Sequence, residues 1–229
     1  MNLHLDVEDM EPGNWVAWVF EFPGCYSRAT TREEAIKAIP NTVEELFARL
    51  SKLGLVEFEI SPPFEIVIAE EFRSFNSSPD YLVNAFFEND RIPLSEKDIE
   101  YARSLLGLNR HELLSIISEL PAAILDRQIA GEVQQNIRGI VRHIATAEWW
   151  YWDRFSMAFP RSERPDDLFE LLEKIRNYTL QRLPELIGST QTEVRSGEEW
   201  SPRKLLRRAI WHERVHTLQI VRYLRNIME

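Results

Sequence analysis

Residues 200–216 read Trp200-Ser201-Pro202-Arg203-Lys204-Leu205-Leu206-Arg207-Arg208-Ala209-Ile210-Trp211-His212-Glu213-Arg214-Val215-His216. Ser201-Pro202 is a helix start, because proline in the first turn gives up an N–H that has no intrahelical partner anyway. From there Leu205, Ala209, His212, His216, Ile220 and Tyr223 recur at helical spacing. One face of this helix is therefore apolar except for two imidazoles, and that face points inward. Histidines at i and i+4 lie one turn apart on the same side, where both can reach one metal ion. The basic residues Arg203, Lys204, Arg207 and Arg208 read as a solvated face, with anion binding as the alternative.

The pattern upstream is helical from Ser95 onward. Ser95 with Asp98 caps a helix that runs to about residue 120, where Pro121 ends it. A second helix spans about 132–159 and stops at Pro160. A third begins at Pro165, with Asp166 and Asp167 complementing the helix dipole, and kinks or ends near Pro184. Four long helices with short connections predict a four-helix bundle. In the second helix Ile137, Ile140, Ile144, Ala147 and Tyr151 form the apolar stripe, and His143 borders it. His143, His212 and His216 can then meet inside the bundle or at its mouth. Three protein ligands leave a position for water or substrate, the arrangement of a catalytic rather than a closed structural site. The competing reading is a set of hydrogen-bonded core histidines, and spacing alone leaves both open. His4 and His111 have no partner at ligand spacing and read as surface or boundary residues.

The string His212-Glu213-Arg214-Val215-His216 also matches the zinc-protease pattern H-E-x-x-H. Its surroundings do not fit a protease. No Gly-x-x-His continuation follows, and the only acidic residue after His216 is Glu229. Glu148 and Glu213 could move protons at the site or support its ligands, but on ideal helices Glu148 is rotated about 140° from His143 and Glu213 about 100° from His212, so a surface role is favoured. The aromatic run Trp149-Trp150-Tyr151-Trp152 points in four directions and reads as core plus interface, with a ligand-binding wall as the alternative.

The first third of the chain has a different period. Leu3, Leu5 and Val7 alternate with polar residues, the mark of a half-buried strand. Glu11-Pro12-Gly13-Asn14 is a turn, 15–22 a buried strand, Pro23-Gly24 a second turn and 25–29 a short third strand. Thr31 with Glu34 caps a helix from Arg32 that Pro40 interrupts, and a second helical piece, 43–52, ends at Gly54. Strands are expected at 55–60 and 64–71, a linker at 73–78 and a short helix at 79–88. Charge changes at the same place. Residues 1–78 hold 6 Lys/Arg and 14 Asp/Glu, a net of −8, against −2 for 79–229. Two domains, 1–78 and 79–229, follow, and the fold class is α+β.

Composition excludes several classes. The single cysteine, Cys25, rules out an intrachain disulfide framework and a multi-thiolate zinc site, and nothing near it in sequence would activate its thiol. A net charge of −10 argues against phosphate-backbone binding, so no nucleic-acid partner is expected. No apolar stretch approaches the roughly 20 residues needed to cross a bilayer, and residues 1–11 lack a signal-peptide pattern. The expected setting is cytoplasmic, away from membranes.

Two stretches resemble known families. Val141-Arg142-His143-Ile144-Ala145-Thr146-Ala147-Glu148-Trp149-Trp150, followed by Trp200-Ser201-Pro202-Arg203 and His212-x-x-x-His216, resembles the DinB-like superfamily over about residues 80–229. That resemblance implies a four-helix bundle whose three histidines, His143, His212 and His216, bind a divalent metal, zinc or nickel, in a homodimer. Some relatives are transferases or isomerases that act on a small-molecule substrate with a low-molecular-weight thiol such as mycothiol, bacillithiol or glutathione. Phe20-Glu21-Phe22-Pro23-Gly24-Cys25-Tyr26-Ser27, then Thr31-Arg32-Glu33-Glu34-Ala35-Ile36, is similar to the HicB-like antitoxin fold. This implies a small α/β domain with an antiparallel sheet. Two functions follow: a metal-dependent, thiol-linked transferase or isomerase, or a non-catalytic module whose acidic first domain docks a protein partner.

Overall fold

The structure is a computed structural model that describes residues 1–52, 54, 63–129, 131 and 133–228. The chain divides into two compact units, Met1–Ile92 with Thr190–Lys204, and Pro93–Ser189 with Leu205–Glu229. This division interleaves along the chain, unlike a single cut at 78/79. The fold is mixed α+β, with a sheet in the first unit and helices in the second.

In the first unit β1 (Asn2–Glu11), β2 (Asn14–Val19), β3 (Tyr26–Ala29) and β4 (Glu65–Arg73) form one sheet in the order β3-β2-β1-β4. The expected antiparallel sheet is mixed: β1–β2 and β2–β3 are antiparallel, but β4 runs parallel to β1. Parallel pairing needs a long crossover, and the connection between β3 and β4 contains the helix α1 (Arg32–Ser51). The alternation in β1 buries Leu3, Leu5 and Val7 as expected.

Thr31 caps α1 by accepting from the Glu34 N–H, as its sequence signals. Pro40 does not interrupt it. The helix continues because its apolar face, Ala35, Ile39, Val43, Leu46, Phe47 and Leu50, is buried along the whole length. Tertiary burial of that stripe outweighs the hydrogen bond and local fit that an interior proline forfeits. The strand expected at 55–60 lies outside the described residues. The stretch 73–78 is not a linker, and 79–88 is not a helix. Strand β5 (Phe75–Ser78) turns into β6 (Tyr81–Val83) as a hairpin.

A second hairpin, β7 (Glu193–Arg195) and β8 (Glu198–Trp200), turns through Ser196 and Gly197, both at positive φ. Within this unit Tyr81 donates to Glu198 at 2.5 Å. Lys204, 0 % exposed, pairs with Glu198 at 2.8 Å and donates to the Asn84 and Glu199 carbonyls.

The second unit holds α2 (Glu96–Ile117), the short α3 (Ala122–Leu125), α4 (Ile137–Asp153), α5 (Leu168–Arg182) and most of α6 (Pro202–Met228). Ser95 and Asp98 form a reciprocal capping box on α2. Asp167 caps α5 through the Phe169 and Glu170 N–H groups. Helix α4 is shorter than its apolar pattern. Asn136 caps its start by accepting from the Gly139 N–H at 2.7 Å. A side chain at Gly139 would meet the Gln134 carbonyl oxygen at 2.7 Å, so glycine is required there. The chain leaves the helix after Asp153, with Ser156 at φ 56°. Leu113, Ile117, Ile140, Ile144, Leu171, Ile175, Ile220 and Tyr223 build this unit's core. Among the described residues no helix is long and apolar enough to cross a membrane.

Candidate metal centre

Helix α4 supplies His143, and α6 supplies His212 and His216 one turn apart. The structure brings the three together: one ligand atom from each lies within 4.8 Å of the others. The Nε2 atoms of His212 and His143 are 3.0 Å apart. Two imidazole nitrogens at about 2.0–2.1 Å from a tetrahedral zinc stand about 3.3 Å from each other, so the cluster has the scale of a metal site. His212 is buried and the other two are half-buried.

Protonation is set for ligation. Burial first, then the neighbouring His216, pushes the His143 imidazole down to about 4. Burial also holds His212 well below its ordinary value, with further contributions from His216, His143 and Arg208. Both rings are neutral at pH 7, the form that donates a lone pair to a metal. For His216, Nδ1 lies 2.6 Å from Gln219 Oε1. An amide oxygen only accepts, so Nδ1 carries the proton and Nε2 keeps its lone pair. Gln219 Nε2 donates onward to the Tyr223 hydroxyl at 3.1 Å. Sequence reasoning missed Gln219, although its i+3 position from His216 places it on the same helix face.

The walls are aromatic. The Tyr151 and Trp211 rings each lie 6.1 Å from the His212 ring. The rest of the aromatic run does packing work. Trp149 donates to the Phe159 carbonyl and Trp152 to Thr179, both at 2.9 Å, while Arg154 lies over Trp150 at 4.1 Å.

Glu148 and Glu213 are not surface residues. They are 4 % and 2 % exposed and belong to a buried four-charge network with Arg110 and Arg176. Glu213 accepts from Arg110 Nε at 2.6 Å and from Arg176 Nη2 at 2.5 Å. Glu148 accepts from Arg176 Nε at 2.9 Å and from Arg110 Nη2 at 3.3 Å. Burial works to raise the Glu148 carboxyl, but Arg176 and Arg110 outweigh it and hold it below its ordinary value. The ideal-helix rotation away from the histidines was sound; the direction it leads is the interior of the unit rather than solvent. Both Glu213 oxygens are taken by guanidinium groups, so it is not placed as the general base of an H-E-x-x-H protease.

The basic run at the start of α6 is likewise not wholly solvated: Lys204 and Arg208 are buried, while Arg203 and Arg207 are half-buried. His4 and His111 are exposed, as their lack of spaced partners implies. Cys25 is buried, and burial, followed by the charge of Glu45, pushes its thiol up to about 12. That is an inert packing thiol, not a nucleophile.

No curated protein matches the chain, and no solved structure matches it. A family model described as the DinB superfamily matches residues 105–220, just over half of the chain, and its span contains His143, His212, His216 and Gln219. The chain belongs to the DinB superfamily.

Proposed function

We propose that His143, His212 and His216 bind one divalent metal, zinc or nickel, and that the chain is a thiol-linked transferase or isomerase acting on a small-molecule substrate. The observation that carries this reading is the convergence of three ligand atoms within 4.8 Å, two of them on rings held neutral by burial. His143, His212 and His216 would hold the ion, which would supply Lewis acidity towards a thiol or carbonyl group of the substrates. The chain's own residues supply the rest. Gln219 holds the tautomer of His216, and Tyr151 and Trp211 limit access of water to His212. The four long helices of the second unit would form the bundle that the family resemblance implies, in a cytoplasmic homodimer. The low-molecular-weight thiol would be of the mycothiol, bacillithiol or glutathione type. The HicB-like fold is proposed for 1–78 on its Pro23-Gly24-Cys25 turn and Thr31-Arg32-Glu33-Glu34-Ala35 helix start.

Cobalt substitution tests the site. Cobalt-loaded protein should show the visible absorption of a four- or five-coordinate ion. Addition of glutathione or another low-molecular-weight thiol should add a near-ultraviolet sulfur-to-cobalt band. Both should vanish in His212→Ala. A cobalt spectrum that no thiol perturbs would remove the thiol chemistry and leave the metal site.

A further inference from the structure

Among the described residues Arg110, Arg176, Lys204 and Arg208 are the buried basic side chains. Three of them neutralise buried carboxylates: Arg110 and Arg176 pair with Glu148 and Glu213, and Lys204 pairs with Glu198. Arg208 differs. It is 8 % exposed, and its Nε and Nη1 are buried with no hydrogen-bond partner. Its guanidinium carbon lies 4.3 Å from the centre of the Trp211 ring. Stacking satisfies the face of a guanidinium but not its N–H donors, which lie in the plane. A buried, permanently charged group with idle in-plane donors is costly unless an acceptor completes it.

Its position says where that acceptor belongs. Arg208 precedes His212 by four residues on α6, so the two share a helix face about 6 Å apart along the axis. The charge of Arg208 is felt at His212, and the Trp211 ring that Arg208 stacks on lies 6.1 Å from the His212 ring. We propose that Arg208 is the anion-recognition residue of the histidine site, taking the carboxylate of a small organic acid whose other end reaches the histidine cluster. A single guanidinium suits a monoanionic carboxylate. A phosphate dianion would call for a second cation or a set of backbone donors. The inference rests on the metal-site reading for what the far end of the ligand meets, but the carboxylate grip does not itself need the metal.

The test uses the full-length protein, metal-free and zinc-loaded, at constant ionic strength. The probes are propionate, its neutral isostere propionamide, and inorganic phosphate, followed by calorimetry and thermal shift. Wild type should bind propionate at least about tenfold more tightly than propionamide, and zinc should strengthen the preference. Arg208→Gln should lose that preference while zinc stoichiometry is unchanged. Arg208→Lys, which keeps the charge on a smaller donor, should keep part of it and serves as the readout if Arg208→Gln misfolds. Equal binding of propionate and propionamide by wild type overturns the proposal. So does undiminished propionate binding in Arg208→Gln, or phosphate binding tighter than propionate. If no zinc is held but the Arg208-dependent preference persists in metal-free protein, the metal reading falls and the anion site stands.

Discussion

Gln219 decides which nitrogen of His216 is available. By accepting from Nδ1 it leaves the Nε2 lone pair open and fixes the ring's orientation. Gln219→Ala should therefore weaken metal affinity by about 10–100-fold without unfolding the protein, measured by competition with a chromogenic chelator. An unchanged affinity would mean that the ring is oriented by packing alone. His143 gives the pH dependence. Its pKa is about 4 in the folded metal-free protein and near 6.5 when unfolded. Between these values the unfolded chain binds a proton that the folded one does not, so stability falls as pH is lowered from 6.5 towards 4 and is level above 6.5 for this group. The Tm of metal-free wild type should drop more steeply over that window than that of His143→Gln. Parallel curves would contradict the buried neutral imidazole. Legibility at this scale follows chemistry. The three histidines were readable because i, i+4 spacing and an apolar stripe are local. Gln219 was not, because a glutamine beside a histidine has no signature until the ring's orientation is known.

Among the elements, α2, α4, α5 and α6 share one device. Each contributes one member of the Arg110, Glu148, Arg176 and Glu213 network. Each charge is buried because its opposite arrives from another helix, and helix periodicity within one element names no such partner. That is why Glu148 and Glu213 read as surface in sequence. Removing Arg176 leaves two buried carboxylates facing one guanidinium. Arg176→Met should destabilise the second unit by about 3–5 kcal/mol, lowering Tm by roughly 10 °C, while zinc binding below the transition persists. A loss under about 1 kcal/mol would show that the network contributes register rather than stability. The capped helix starts at Thr31 and Ser95 were legible because capping is a contact within four residues, whereas the helix expected from Pro165 begins at Leu168, with Asp167 as its cap. The continuity of α1 through Pro40 was not, since it depends on the sheet that buries its stripe.

At the scale of the whole molecule, charge and periodicity suggest a cut near residue 78, yet Thr190–Lys204 returns to the first unit. That return is held by pairs more than a hundred residues apart, Tyr81 with Glu198 and Lys204 with the Asn84 carbonyl. No local pattern announces such pairs. The parallel pairing of β4 with β1 is hidden for the same reason: strand direction depends on the crossover, not on the residues of the strand. The family assignment covers 105–220, a span that holds His143, His212 and His216 and includes Thr190–Lys204 of the first unit. The most direct test of the central claim is elemental analysis of the purified full-length protein by mass spectrometry, beside His212→Ala. The account predicts close to one zinc or nickel per chain in wild type and a near-complete loss in the variant. Metal-free wild type that takes up no divalent ion on reconstitution, or equal metal in both proteins, would contradict it.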